Sequence, residues 1–181
     1  KYRTPGWWAE ILKSMGVSVT MVAGVDLYPS LQKGVIDALE FSTPIVNKSQ
    51  NFHEVVKYVA GPGMHQPTCY FEIGFNKDKY NALPPEYKAI LESAIMAMNI
   101  DMWSKDITMG IDTLKFFKSK GLTLTRVEDK DQREFRKVAW AFIDQEVKKI
   151  NRPHTTETWA SANKMWTEFS DYEYFMLPVR K

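Results

Sequence analysis

The sequence predicts an α/β domain built on a parallel sheet, followed by a helical tail of different character. Three observations point there. Apolar runs of strand length alternate with helical patterns through the first forty residues, in the order strand, helix, strand, helix, strand. A long helical pattern then runs from about residue 86 to residue 119. Beyond Asn151-Arg152-Pro153 the chain turns strongly aromatic, with Trp159, Trp166, Phe169, Tyr172 and Phe175.

Each element has its own justification. Tyr2 to Thr4 reads as a strand, and Pro5 suits a helix start because its missing N–H costs nothing there. Trp7, Trp8, Ile11, Leu12 and Met15 recur at helical spacing, and Gly16 stops them. Val17 to Val22 is the second strand. Asp26 caps a short helix that Gly34 ends, and Val35 to Phe41 is the third strand. A short helix is expected over Ile45 to Phe52 and a strand over Val55 to Val59. Gly61-Pro62-Gly63 is a sharp break, and Thr68 to Phe75 has strand composition. Pro84-Pro85 opens the long helix, which Gly121 stops. Leu122 to Thr125 is a short strand, Asp129 to Lys149 an amphipathic helix, and Thr155 or Thr156 caps the last helix. Two domains are expected: 1–150, and a tail over 151–181.

Composition narrows the function. Of 181 residues, 44% are hydrophobic and 13% aromatic, enough to bury a real core. The 24 basic and 22 acidic side chains leave a net charge of +2, without the clustered basic excess of a nucleic-acid binder. Cys69 is alone, so neither an intrachain disulfide nor a Cys-based zinc site can form. His53, His65 and His154 lack the spacing of a helical metal pair. No apolar run reaches the roughly 18–20 residues that span a bilayer. The chain opens on Lys1 with no initiator Met and no signal peptide, and it reads as part of a longer protein.

Catalytic patterns are missing: no P-loop, dinucleotide glycine fingerprint or nucleophile elbow occurs. Asp37 and Glu40 stand three apart on a strand and so face opposite sides, which argues against a carboxylate dyad. Arg3, Glu40 and Gln66 are the polar residues that stand out. Arg3 alone reads as a surface or ion-paired arginine. At a strand's C-terminal end it is also a bidentate clamp for a carboxylate, at the edge where open α/β sheets bind ligands. Glu40 is either an exposed strand-end carboxylate or a hard oxygen donor to sodium or calcium. Gln66 is a loop amide or a partner in the same site.

These residues are arranged as in the solute-binding proteins of tripartite ATP-independent periplasmic (TRAP) transporters. Arg3-Thr4-Pro5-Gly6 resembles the segment that carries that family's carboxylate-binding arginine. The stretch from Gly24 to Ala38 is similar to its "Tyr-x-Ala-Leu-x-x-Gly-x-Ile-Asp-Ala/Gly" motif. Asn76-Lys77-Asp78 and Leu83-Pro84-Pro85-Glu86 resemble its run into the long helix, so the likeness covers residues 1–149. The resemblance is strongest to the branch that binds 2-oxo acids and related monocarboxylates. Phe41 departs from the tryptophan of that branch, Ser30 from its alanine, and Val25-Asp26 from its Gly-Glu.

The resemblance implies a type II periplasmic binding-protein fold. This chain would supply the second domain, the connecting long helix and a C-terminal aromatic helix, with the N-terminal domain and signal peptide absent from it. It also implies a periplasmic capture protein rather than an enzyme, closing like a hinge on a small organic carboxylate and delivering it to TRAP membrane subunits. Arg3, Glu40, Phe41 and Gln66 would bind ligand. Glu40, Gln66 and the Phe41 carbonyl would hold a bridging sodium or calcium ion, with no organic cofactor. The C-terminal helix would swap between the subunits of a homodimer, or dock on its own chain. A ligand-sensing domain of a membrane receptor or sensor kinase is the alternative use of the same fold.

Overall fold

The computed structural model describes residues 1–65 and 72–176. Two compact units divide the chain, the first ending at Gln132 and the second beginning at Arg133.

The first unit opens with β1 (Tyr2–Arg3), α1 (Gly6–Ser14), β2 (Val19–Thr20), α2 (Leu27–Gln32) and β3 (Ala38–Leu39). β1 is the central strand, parallel to β2 on one side and to β3 on the other. Parallel neighbours need crossover connections, which α1 and α2 provide. Helix α1 buries Trp8, Ala9, Ile11 and Leu12, whereas Trp7 and Met15, which the spacing placed with them, are exposed. Leu27, Ile36 and Phe52 form a buried core against which Val22, Leu31, Leu39 and Phe41 pack.

The ladders are shorter than the apolar runs suggested, because the ends of those runs close the preceding helices. The Val17 N–H donates to the Leu12 carbonyl, and those of Val35 and Ile36 donate to the Ser30 carbonyl. Gly16 and Gly34 take the positive φ that these closures require.

Helix α3 (Pro44–Ser49), expected over Ile45 to Phe52, starts one residue earlier on proline and ends three residues sooner. A 3₁₀ turn over Phe52–Glu54 follows, then β4 (Tyr58–Gly61). This strand was expected at 55–59 and begins three residues later. The Val55 and Val56 N–H groups are still bonded to the Phe52 carbonyl and cannot join a ladder. Of the strand expected at 68–75, residues 68–71 lie outside the described residues, and 72–75 are not in a strand.

Helix α4 (Lys77–Asn81) was not expected; the Asn76 side chain caps it by accepting from the Lys79 N–H at 3.1 Å. Helix α5 (Pro85–Ser119) runs 35 residues, and β5 (Thr123–Arg126) pairs in parallel with β4, Tyr58 opposite Thr123 and Gly61 opposite Arg126. Among the described residues, those that α5 buries, Gly110, Thr113 and Phe117, all lie in its C-terminal third. His53 braces it, edge-on to Phe116 and stacked on Phe117. Ile90, Met96, Ile100 and Trp103 lie exposed along the rest.

Helix α6 (Asp129–Ile150) enters the second unit at Arg133 and is followed by α7 (Pro153–Met176). Pro153, read as linker, is the first residue of α7. Within this unit the Trp140 ring lies 5.6 Å from that of Trp159 and 5.7 Å from that of Trp166. The Trp140 indole N–H donates to Asn163 Oδ1 at 2.7 Å, and the Arg136 guanidinium lies 4.5 Å over the Trp166 ring. No helix among the described residues is long and apolar enough to cross a membrane.

Candidate functional site

Because β1, β2 and β3 are parallel, their C-terminal ends share one edge of the sheet. Arg3 leaves that edge from the central strand, in register with Thr20 and Leu39. Its guanidinium ties together the two loops that follow the flanking strands: Nε donates to the Val22 carbonyl at 3.1 Å and Nη1 to the Glu40 carbonyl at 3.2 Å. These bonds fix the plane of the fork. Among the described residues no acceptor meets Nη2.

Glu40 sits beside it. Oε1 accepts from the buried Thr4 hydroxyl at 2.9 Å and lies 3.8 Å from Arg3 Nη1. Oε2 lies 3.5 Å from Nε2 of His65, whose ring is stacked on Trp8 at 5.1 Å and nearly parallel to it. Burial holds the His65 pKa below its ordinary value, outweighing the opposite pull of Glu40. Burial, reinforced by the Glu40 charge, pushes the Tyr2 phenol up to about 12 against a weaker opposing hydrogen bond with Trp8.

The structure therefore brings Arg3, Glu40 and Phe41 to one edge. Gln66 lies outside the described residues. The Phe41 ring meets Phe52 edge-on at 5.6 Å, which anchors the residue to the core and leaves its main chain as the candidate ligand. Asp37 is exposed beside the Lys1 amino group, apart from Glu40. Thr4 and His65 were not anticipated. The signal for Thr4 was its place next to Arg3; that for His65 was its place after the Gly-Pro-Gly break.

Chemically, the edge offers one cationic fork, one carboxylate and neutral donors. No three His, Cys, Asp or Glu side chains among the described residues group to hold a metal. Among the described residues Glu40 would be the side-chain anion for a cation there, with lone pairs to spare after accepting from Thr4. That donor set suits sodium or calcium whose remaining charge an anionic ligand balances.

Residues 1–150 match the family of bacterial extracellular solute-binding proteins, family 7. The chain belongs to that family. Among its relatives, a monocarboxylate 2-oxoacid-binding periplasmic protein of Nostoc sp. is 22% identical over 96% of this chain and 49% of its own. The fold is that of the TRAP solute-binding proteins. One from Bordetella bronchiseptica, a mixed-occupancy dimer with copurified calcium and picolinate, superposes with a TM-score of 0.82. It is 20% identical and covers 97% of this chain and 52% of its own. Another, from Colwellia psychrerythraea with bound calcium and pyruvate, gives a TM-score of 0.72 at 24% identity. It covers 96% of this chain and 55% of its own. This family 7 chain thus spans about half the length of the relatives it matches.

Proposed function

We propose that the protein to which this chain belongs captures a small organic carboxylate, a 2-oxo acid or a close analogue, in the periplasm and hands it to TRAP membrane subunits. The observation that carries this reading is Arg3: a guanidinium at the ligand edge of a parallel sheet, its plane fixed by two carbonyls, with Nη2 unmet among the described residues. Such a fork matches a carboxylate in shape and charge. The 2-oxo acid class is supported by the description of the Nostoc relative and by the pyruvate bound in the Colwellia protein.

In this reading residues 1–150 form the second domain and connecting helices, and 151–181 the tail. Arg3 takes the ligand carboxylate. Glu40, the Phe41 carbonyl and Gln66 hold a sodium or calcium ion that offsets repulsion between Glu40 and the anion. No organic cofactor is needed, and no step of chemistry follows capture. The exposed edge of α7, with Phe169 and Tyr172, meets a second copy of the protein.

Calorimetry on the full-length protein with pyruvate tests this. Arg3→Lys keeps the charge but loses the planar fork, so affinity should fall at least ~10-fold, about 1.4 kcal/mol. Unchanged affinity would remove Arg3 from the site. Titrations after chelation, in sodium-free buffer and with each ion restored test the cation; equal affinity in all would mean that the carboxylate binds without it. Failure of pyruvate, lactate and picolinate alike to bind would overturn the 2-oxo acid reading.

A further inference from the structure

Glu40 poses a problem for an anion site, because it is itself a carboxylate beside the arginine that must receive another. Arginine and glutamate side chains this close commonly form a bidentate pair, with two parallel contacts of roughly 2.7–2.9 Å. Such a pair would occupy the fork and exclude a ligand. It does not form here. The Nη1 to Oε1 distance is 3.8 Å, and the Arg3 hydrogen bonds go to main-chain carbonyls.

Two other side chains engage the Glu40 carboxylate. The buried Thr4 hydroxyl donates to Oε1 at 2.9 Å, and Nε2 of His65 faces Oε2 at 3.5 Å. Neither group is loose. Thr4 is wholly buried directly after β1, and His65 is seated flat on Trp8, a buried residue of α1. With its hydrogen on Nε2, the imidazole places a donor nitrogen near the second oxygen, beyond ordinary hydrogen-bond length, while the hydroxyl bonds to the first.

We propose that Thr4 and His65 are positioning residues that hold the Glu40 carboxylate off Arg3, so that the guanidinium fork stays open to an incoming monocarboxylate. The proposal deepens the capture reading and rests on it for the identity of the ligand. Affinity then depends on two residues that need not touch the ligand. When their donors are lost, Glu40 turns onto Arg3 and the site occludes itself.

The test uses the full-length protein, pyruvate with calcium present, and three substitutions. Thr4→Val keeps the side-chain shape and removes the hydroxyl. His65→Phe keeps a flat ring on Trp8 and removes the donor, whereas His65→Gln keeps an N–H. Two readouts are needed: the pyruvate Kd by calorimetry, and the Arg3 guanidinium signals by nitrogen-15 NMR without ligand. The Thr4→Val/His65→Phe protein should bind pyruvate about 10-fold or more weakly, the loss expected when a bidentate fork is taken up. Its Arg3 signals should shift and their rotation slow as the internal pair forms. His65→Gln should recover most of the loss seen with His65→Phe, a rescue that a purely packing role would not give.

Unchanged Arg3 signals in the double variant overturn the proposal, whether or not pyruvate binds. If His65→Gln binds as weakly as His65→Phe, the share assigned to His65 is overturned. A parent protein that binds no carboxylate, but whose Arg3 signals shift on double substitution, retains the clamp and loses the capture reading. Should Thr4→Val not fold, His65→Phe alone carries both readouts.

Discussion

Tyr2 precedes Arg3 on the central strand, and its phenol feels the same surroundings as the anion site. Burial and the Glu40 charge both favour the neutral form, so the folded pKa of about 12 lies above the ordinary 10.0. The group thus contributes its full stability below pH 10. As pH climbs from 10 towards 12 the unfolded chain gives up this proton first, and the contribution is lost. Tyr2→Phe should flatten that part of the melting-temperature curve relative to the parent, whereas Tyr28 and Tyr80, also raised, act equally in both proteins. Parallel curves from pH 9 to 12 would contradict the assignment. Residues of the site differed in how well the sequence disclosed them. Glu40 was legible because a carboxylate closing an apolar run is anomalous in one dimension, and Arg3 because it ends a short strand just ahead of a helix start. Thr4 and His65 were not, since a threonine and a turn histidine are ordinary there. What makes them relevant is a meeting with Glu40, which lies 36 residues beyond Thr4 in the chain.

At the scale of elements, helices were read more faithfully than strands. The long periodic pattern of α5 and the stop at Gly121 came out nearly as expected. Strand limits did not, because Val17, Val35 and Val55 have strand propensity but spend their N–H groups closing turns. The aromatic helix α7 shows the same limit. Trp159, Trp166 and Phe169 share a stripe in sequence, yet Trp159 and Trp166 lie against Trp140 of α6 in the same chain. The large apolar side chains that α7 leaves most exposed include Met165, Phe169, Tyr172, Tyr174 and Phe175. Cutting the chain after Ile150 would uncover Trp140, so it is a poor test of a subunit interface. Phe169→Glu with Tyr172→Glu spares the indole cluster. If α7 joins two subunits, light scattering at tens of micromolar full-length protein should show a dimer becoming a monomer. A monomeric parent would end the idea.

At the scale of the whole molecule, the parallel α/β class was legible from the alternation of patterns, but the choice of strand partners was not. β1 to β3 pair among themselves, whereas β4 waits for β5, because pairing depends on where helices deliver strands rather than on propensity. That wait has a kinetic meaning. The β4–β5 ladder joins residues about sixty-five positions apart, with the 35-residue α5 between them. Helix formation is local and takes on the order of a microsecond, whereas a contact this distant must first meet the entropy of closing its loop. The ladder should therefore form after the folding barrier. Leu124→Ala would then speed unfolding and leave the folding rate nearly unchanged, a φ-value near zero. A value near one would place the ladder in the nucleus. Late closure means that nascent chains spend their slowest interval with the β4 edge open, so chaperone demand during folding would track the strength of this one parallel pair.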